Sequence, residues 1–268
     1  MTAPKTLWLI GCGTMAGAML RRWIAAGAVR GADVFVLNRR EQDLPEGATQ
    51  GRALPEGALP DAVMLGVKPQ QLDGIAGQVA TRIAGVPLLV SILAGVEEAA
   101  LAARFDARAI VRAMPNLPVE IGKGVVALQS DSADAAARAA AQTLMAPLGL
   151  VEWVDADRFD AVTALAGSGP AFVYRFIDAL AAAGAAIGIP ADQALRLARA
   201  TVEGGALLAA GAGDSPAALA NQVASPGGST RKGLDVLDDG DALVRLLTET
   251  LAASARHNIE MAAAAARR

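Results

Sequence analysis

The chain of 268 residues has one cysteine and one histidine, and aromatic residues make up only 3% of it. The single cysteine, Cys12, excludes an intramolecular disulfide and gives no sign of an oxidising compartment. We interpret Cys12 as a small residue packed beneath a turn, not as a reactive thiol. The lone histidine, His257, is expected at the surface or at an interface, without a catalytic role. We expect no metal site.

The sequence also lacks a positive net charge and a long apolar run. Its formal charge is -3, which gives no electrostatic argument for binding nucleic acid or an anionic membrane. The longest apolar candidate, residues 179–189, is too short to span a bilayer, and the N-terminus does not have the pattern of a signal peptide. We therefore expect a soluble cytoplasmic protein. Hydrophobic residues make up 53% of the chain, which is enough for a sizeable core.

A glycine-rich turn near the start of the chain joins an apolar run to a helical pattern. Residues 7–10 are predicted to form a buried strand, and Gly11 and Gly13 follow it. In a dinucleotide-binding unit, the first glycine permits a sharp turn and the second lets the backbone approach a pyrophosphate. The helix that follows offers free N–H groups to the phosphates. An ordinary strand-to-helix turn is the alternative, but the position between a strand and a helix favours a cofactor.

The end of the second predicted strand, residues 33–37, indicates which cofactor is bound. An enzyme that uses NAD usually places an acidic residue here to accept hydrogen bonds from the ribose hydroxyls. This chain instead has Asn38, Arg39 and Arg40, which supply donors and positive charge for a 2′-phosphate. We therefore predict NADPH, with NADH as a weaker alternative. Two solvated loop arginines are the competing interpretation.

The rest of the first half alternates strand and helix patterns, which predicts a mainly parallel sheet with helices on both faces. Residues 41–61 are rich in proline and glycine and are predicted to be a loop. Lys68 and Pro69 follow the third strand, at the edge where ligands of parallel sheets bind. The further predicted strands are residues 62–67, 86–92, 107–112 and 123–128, with an edge strand at 151–154.

The second half contains only helical patterns. Ser215 and Pro216 are predicted to cap and begin one of its helices. Alanine-rich helices with apolar residues on more than one face are hard to solvate alone, so we expect this half to dimerise; a self-contained bundle is the alternative. The predicted helices are residues 157–166, 171–187, 191–210, 216–224, 230–237 and 241–264.

A second glycine cluster, residues 223–233, precedes one of these helices. Backbone N–H groups, the hydroxyls of Ser229 and Thr230 and a helix N-terminus together suit a small anion such as a carboxylate. A plain helix start capped by Ser229 or Thr230 is the alternative. A third cluster of small residues, 164–170, lies at the junction of the two halves and is interpreted as a close helix contact.

These clusters, in this order, resemble the pyrroline-5-carboxylate reductase family. The matching stretches are residues 10–15, 67–69, 112–116, 166–171 and 225–230, and the last, Ser-Pro-Gly-Gly-Ser-Thr, is the most specific. The resemblance implies an α/β N-terminal Rossmann domain with a mainly parallel, doubly wound sheet over residues 1–154. It also implies an all-α C-terminal domain over residues 155–268 that binds substrate and forms an intertwined dimer, which often assembles into a decamer.

The resemblance further implies the reaction and the role of each site residue. The reaction is hydride transfer from NADPH to the C=N bond of 1-pyrroline-5-carboxylate, which gives L-proline. The residues implied for the cofactor are Gly11, Gly13, Thr14 and Met15 at the pyrophosphate, Asn38, Arg39 and Arg40 at the 2′-phosphate, Lys68, Pro69, Ala94 and Gly95 at the nicotinamide ribose, and Met114, Pro115 and Asn116 at the nicotinamide. The residues implied for the substrate carboxylate are Val223, Gly228, Ser229 and Thr230, with the Thr230 hydroxyl as the candidate contact to the ring nitrogen.

Two other functions compete with this one. A related NADP-dependent imine or hydroxyacid reductase would share the two-domain plan. The hydroxyacid enzymes typically carry a lysine early in the helical domain, and residues 155–190 contain none. A non-catalytic NADPH sensor would have no need for the carboxylate site at residues 225–230.

Overall fold

A computed structural model describes residues 4–266, and the first part of this chain forms one mainly parallel sheet. The strand order is β3-β2-β1-β4-β5-β6-β7-β8, and only β6 and β7 pair in antiparallel fashion. The order reverses at β1, which lies between β2 and β4, as expected for a doubly wound dinucleotide-binding sheet. The strands are β1 (Leu7–Ile10), β2 (Val34–Leu37), β3 (Thr49–Gly51), β4 (Ala62–Leu65), β5 (Leu88–Ser91), β6 (Ile110–Pro115), β7 (Gly124–Gln129) and β8 (Gly149–Trp153).

The sequence pattern predicted seven of these strands and missed β3. The prediction that residues 41–61 lack regular structure is wrong at Thr49–Gly51, which pairs with β2 at the edge of the sheet. The side chains of this segment lie largely outside the core, so its sequence does not alternate between apolar and polar residues. Backbone hydrogen bonds to β2 are what hold it in the sheet. The edge strand predicted at residues 151–154 is present as β8.

Helices cover both faces of the sheet and bury its side chains in two layers. Successive residues of β1 point to opposite faces, so Leu7 and Leu9 lie in one layer while Trp8 and Ile10 lie in the other. All four residues of this strand are buried, and fully burying each aliphatic side chain contributes about 1.5–3 kcal/mol. The helices are α1 (Thr14–Ala25), α2 (Leu72–Val79), α3 (Glu98–Ala102), α4 (Ala135–Met145), α5 (Phe159–Val162), α6 (Gly169–Ala186), α7 (Ala191–Gly211), α8 (Pro216–Gln222), α9 (Ser229–Asp238) and α10 (Ala242–Ala266).

The helix that follows the glycine turn, α1, is anchored by Trp23. This indole is fully buried, and its Nε1–H donates a hydrogen bond of 2.7 Å to the carbonyl oxygen of Leu144 in α4. A buried indole N–H needs such a partner, since leaving it unpaired costs about 1–3 kcal/mol. The hydrogen bond therefore ties the C-terminal turn of α1 to α4.

The described chain divides into two compact units, one on each side of Ser168 and Gly169. The first unit holds the sheet and resumes from Ser254 within α10, and the second is Gly169–Ala253. The sequence divided the chain earlier, at residues 154 and 155, and that boundary remains a prediction. The segment after β8 joins the sheet unit because the Phe159 ring packs against Arg112 and because the carbonyl oxygen of Ala166 accepts a hydrogen bond from Asn116.

The second unit is built from α6 to α9 and the first part of α10. Ser215 caps α8 by accepting a hydrogen bond of 3.2 Å from the N–H of Ala218, and Pro216 is the first helical residue, as the sequence predicted. Its helices bury mainly alanines and leave many large apolar side chains exposed. These exposed side chains are Val173, Tyr174, Phe176, Leu180, Leu197, Leu207, Leu208, Val236, Leu237, Val244, Leu246 and Leu247.

None of the helices in residues 4–266 combines the length and the apolar character that crossing a membrane requires.

Candidate functional site: a cofactor groove and a second glycine turn

The glycine turn after β1 has the backbone geometry that the sequence predicted. Gly11 has a φ of +84°, and a Cβ at this position would lie 2.7 Å from Cγ1 of Val67, so only glycine fits without strain. Gly13 is the N-cap of α1, and a Cβ there would meet nothing within 4 Å. No acidic residue lies in the first turn of α1. The open space in front of Gly13 can therefore accept an anion on the free N–H groups of α1.

A groove of about 890 Å³ runs from this turn across the carboxyl ends of the strands. Its size is within the range of small-molecule and cofactor sites. Four cationic side chains line it, and no aspartate or glutamate is among its lining residues in the described chain. The cations are Arg39, Arg40, Arg52 and Lys68. The predicted cofactor residues that line this groove are Gly11, Gly13, Thr14, Met15, Asn38, Arg39, Arg40, Lys68, Pro69 and Ala94.

Asn38 joins the end of β2 to the glycine turn. Its Oδ1 accepts a hydrogen bond of 3.1 Å from the N–H of Cys12. Its Nδ2 is buried and has no hydrogen-bond partner among the described residues. An unpaired buried amide donor is costly in a folded protein, so its presence in the wall of a groove points to a ligand acceptor. The residues present at this end therefore fit a dinucleotide.

Cys12 lies beneath the turn, as predicted. It is 4% exposed, and burial raises the pKa of its thiol above the ordinary value, although the charge of Arg21 opposes this effect. A thiol in such an environment is mostly protonated near neutral pH and is a poor nucleophile. The structure thus gives Cys12 a packing role beside the phosphate-binding turn.

A second cavity, of about 300 Å³, lies at the carboxyl ends of β5 and β6. Met15 and Ala94 line both this cavity and the groove, and Gly95, Met114 and Pro115 line the cavity alone. These five residues were all predicted to bind the cofactor. Ala94 and Gly95 follow β5, and Met114 and Pro115 end β6; these two strands are adjacent and parallel, so their carboxyl ends share one edge. Met15 reaches the cavity from the first turn of α1.

Asn116 is placed behind this cavity and not among its lining side chains. Its Nδ2 donates to the carbonyl oxygen of Ala166 at 2.9 Å, and its Oδ1 accepts from the N–H of Val125 at 2.8 Å. The side chain therefore ties β6 and β7 to the segment of residues 163–167. The expected contact between Asn116 and the nicotinamide remains a prediction, and the geometry indicates a supporting role.

Residues 163–167 form one turn of wide π-type helix against the same cavity. A Cβ on Gly167 would lie 2.7 Å from Sδ of Met114, so a larger residue here would require the Met114 side chain to move. The small-residue cluster at 164–170 thus makes a close contact, as the sequence predicted, but part of it is with a strand. Such π turns are rare and are frequent at functional sites.

A buried cation in the cavity wall was not assigned a role from the sequence. Arg112 is 9% exposed, donates a hydrogen bond of 3.2 Å to Oε1 of Gln129, and lies 4.2 Å from the ring centre of Phe159. Burial lowers the pKa of this guanidinium, and the charge of Asp160 partly opposes the effect. Its position in β6, two residues before Met114, was visible in the sequence, but its burial depends on Phe159, which is far along the chain.

The second glycine turn precedes α9 in the second unit. Gly227 has a φ of +73°, and Gly228 is the N-cap of α9, so the alternative in which Ser229 or Thr230 caps the helix is wrong. Gly228 has no side chain to occupy the first N–H groups of α9. Ser229 and Thr230 are exposed residues of the first helical turn, and Val223, 70% exposed, precedes them. The turn keeps free N–H groups beside two hydroxyls, as an anion site requires.

His257 lies on the surface. Its Nδ1 is 3.4 Å from a carboxylate oxygen of Glu260, one turn further along α10, and its side chain is 70% exposed. It does not line the groove or the cavity. In the described chain, no group of three or more His, Cys, Asp or Glu residues is arranged to hold a metal ion.

Comparisons with known proteins agree with this geometry. A family model described as "Pyrroline-5-carboxylate reductase dimerisation" matches residues 156–261, and one described as "NADP oxidoreductase coenzyme F420-dependent" matches residues 6–95. A pyrroline-5-carboxylate reductase of Synechocystis is 36% identical over 239 residues, which cover 87% of this chain and 89% of the relative. The chain belongs to the pyrroline-5-carboxylate reductase family. The resemblance drawn from the sequence is therefore confirmed.

Solved structures of the family share the fold. The pyrroline-5-carboxylate reductase of Coxiella burnetii is 29% identical and superposes with a TM-score of 0.87, covering 96% of this chain and 98% of its own. The pyrroline carboxylate reductase of Plasmodium falciparum, solved with NADP bound, has a TM-score of 0.80 at 21% identity, covering 98% of this chain and 99% of its own. The predicted fold class, a Rossmann-type domain followed by a helical domain, is confirmed.

Proposed function

We propose that this chain reduces 1-pyrroline-5-carboxylate to L-proline with NADPH, the last step of proline synthesis. The observation that carries this proposal is the composition of the groove. In this member of the pyrroline-5-carboxylate reductase family, the groove combines a glycine turn at a helix N-terminus with cationic side chains, and no carboxylate is among its described lining residues. NADH lacks the 2′-phosphate that these cations suit, so we propose that it binds more weakly.

The reaction makes few demands on acid–base side chains. Bound NADPH supplies a hydride to the carbon of the C=N bond, and the proton on the imine nitrogen completes the secondary amine of proline. The imine nitrogen is basic enough to be protonated near neutral pH, so the chain mainly holds and orients the two ligands and excludes water. This requirement agrees with a site built from glycines, backbone N–H groups and small apolar residues.

The cofactor residues divide by position along the groove. Gly11, Gly13, Thr14 and Met15 bind the pyrophosphate on the N-terminus of α1. Asn38, with its unpaired Nδ2, and the guanidinium groups of Arg39 and Arg40 bind the adenosine ribose and its 2′-phosphate. Lys68, Pro69, Ala94 and Gly95 flank the nicotinamide ribose. Met114 and Pro115 line the nicotinamide end, and Asn116 holds that wall in place.

The substrate residues are those of the second glycine turn. Val223, Gly228, Ser229 and Thr230 form the carboxylate site, with the first N–H groups of α9 as donors. The Thr230 hydroxyl contacts the ring nitrogen and is the catalytic residue in this proposal. These contacts come from the dimer partner of the chain that holds NADPH.

The assembly is a homo-oligomer built through the helical unit. Large apolar side chains such as Val173, Phe176 and Leu208 are exposed on the single chain, and removing them from water is the driving force for association. The residues matched by the dimerisation model include all three. We propose a dimer that assembles further into a decamer. A cytoplasmic location is part of the same proposal.

The deciding experiment measures oxidation of NADPH and NADH, by the absorbance of the reduced nicotinamide, with 1-pyrroline-5-carboxylate as substrate and with proline quantified as product. We expect rapid turnover with NADPH and slower turnover with NADH. Tight NADPH binding without turnover on this or any other cyclic imine would instead indicate a sensor. Oxidation of NADPH with an oxo acid alone, which would be reduced to the hydroxyacid, would indicate the hydroxyacid reductase class.

A further inference from the structure

A third arginine, Arg52, directly follows β3 and lies beside Asn38. In the register of β2 and β3, Leu37 lies opposite Gly51, and the N–H of Asn38 donates a hydrogen bond of 3.0 Å to the carbonyl oxygen of Gly51. The two strands are parallel, so the residues that follow them, Asn38 and Arg52, emerge side by side at the ligand-binding edge. Arg39 is the next residue after Asn38 at this corner.

The backbone around Arg52 is held from two sides. The carbonyl oxygen of Arg52 accepts a hydrogen bond of 3.3 Å from Nε2 of Gln78. Gln50, two residues earlier, accepts a hydrogen bond of 3.1 Å from the N–H of Gln42 and donates one of 2.7 Å to its carbonyl oxygen. These contacts fix the loop between β2 and β3 against the sheet edge. The position from which the Arg52 side chain extends is therefore set by the fold.

The charge of Arg52 is left available to a ligand. The side chain lines the groove together with Arg39 and Arg40, and no carboxylate in the described chain lines that groove or forms an ion pair with Arg52. Arg39, Arg40 and Arg52 line the same groove, so an anion bound at this end of it is attracted by three positive charges. A phosphate monoester dianion satisfies both their charge and their forked donors.

We propose that Arg52 is a specificity-determining residue that binds the 2′-phosphate of NADPH together with Arg39 and Arg40. The proposal rests on NADPH as the cofactor, as given under the proposed function. Arg39 and Arg40 follow β2, whereas Arg52 follows β3. The 2′-phosphate is therefore bound by cations from two different strands. NADH offers Arg52 no phosphate at this position.

The test compares Arg52→Ala and Arg52→Lys with the intact protein, using fluorescence titration to obtain dissociation constants for NADPH and NADH. Adenosine 2′,5′-bisphosphate and AMP serve as fragments with and without the 2′-phosphate. Arg30→Ala is the matched control, because Arg30 is an exposed arginine at the opposite end of β2 and forms an ion pair with Asp33. It removes one positive charge from the same domain without touching the groove.

For Arg52→Ala we expect NADPH and the bisphosphate to bind about two- to fivefold more weakly, with NADH and AMP unchanged, because one exposed charge-assisted contact to phosphate is lost. Arg52→Lys should keep part of the affinity, and the loss should shrink as salt is added. Arg30→Ala should change none of these constants. Unchanged NADPH affinity in Arg52→Ala, or equal losses for NADPH and NADH, would overturn the proposal.

The outcome is independent of whether the chain reduces 1-pyrroline-5-carboxylate. A selective loss of NADPH affinity in Arg52→Ala supports the role of Arg52 even if the intact protein turns over another imine. Turnover of 1-pyrroline-5-carboxylate with NADPH, together with unaltered binding in the variant, removes Arg52 from the site and leaves the proposed function standing.

Discussion

Replacing Asn38 by Asp and Arg39 by Leu should shift cofactor preference from NADPH toward NADH. Asn38→Asp keeps an oxygen that accepts the Cys12 N–H, so the glycine turn stays tied to β2. It replaces the buried Nδ2 donor by a carboxylate oxygen, which repels a phosphate and can accept from a ribose hydroxyl. Arg39→Leu removes one exposed guanidinium from the same end of the groove.

The size of the shift follows from the contacts that change. Losing the Nδ2 hydrogen bond costs about 1 kcal/mol, and losing an exposed charge-assisted contact from Arg39 costs up to about 1 kcal/mol. A carboxylate about 4 Å from a phosphate charge adds about 1 kcal/mol or more of repulsion, depending on solvent access. Together these terms give about 2–4 kcal/mol, which is about 30- to 700-fold in the ratio of NADPH to NADH dissociation constants.

Fluorescence titration of both cofactors into the double variant and the two single variants measures this ratio directly. Thermal unfolding of each variant checks that the fold is intact. A ratio equal to that of the parent protein would refute the assignment of this corner to the 2′-phosphate. A parallel loss of both affinities would show that the substitutions disturb the glycine turn itself and do not act on the 2′-phosphate.

Three further predictions test other parts of the site. Thr230→Val should lower kcat/KM for the imine about tenfold or more while the NADPH dissociation constant stays the same, and unaltered steady-state kinetics would remove Thr230 from the site. Asn116→Leu leaves the N–H of Val125 and the carbonyl of Ala166 without partners, so we expect a loss of about 2–4 kcal/mol and a clearly lower Tm by circular dichroism; an unaltered Tm would contradict the supporting role. Burial raises the pKa of the Cys12 thiol, so iodoacetamide should alkylate the native protein far more slowly than the urea-unfolded chain, and equal rates would show that the thiol is accessible.

The structural features that the sequence predicted correctly are those set by local chemistry. The Gly11 turn could be predicted because a positive φ and a close approach to Val67 both demand glycine, and the demand shows in the sequence. The Ser215 cap and Pro216 were recognisable for the same reason. The central strands were visible because both of their faces are buried, which gives continuous apolar runs.

The parts that the sequence did not reveal depend on partners that are distant along the chain. β3 has no apolar pattern and exists because the backbone of β2 offers it a hydrogen-bonding edge, so Arg52 could not be placed at the groove beforehand. The hydrogen bonds of the Asn116 side chain were hidden from the sequence for a similar reason. A polar residue that follows a strand at the ligand-binding edge of a sheet is a reasonable candidate for a ligand contact. In the structure, however, the two side-chain hydrogen bonds of Asn116 go to Val125 and Ala166.

The contrast between Asn38 and Asn116 suggests a physical criterion for such cases. Both asparagines follow a strand at the same edge of the sheet, and both use Oδ1 to accept a backbone N–H. Asn116 also donates a hydrogen bond from its Nδ2 to a protein carbonyl, so both ends of its amide have a partner within the chain. Asn38 leaves its Nδ2 buried and unpaired within the described chain, so a bound cofactor has a donor to satisfy. Residue type and position are the same for the two asparagines and do not show which one binds a ligand. The hydrogen-bond partner of Nδ2 distinguishes them, because Asn116 has one within the chain and Asn38 has none among the described residues.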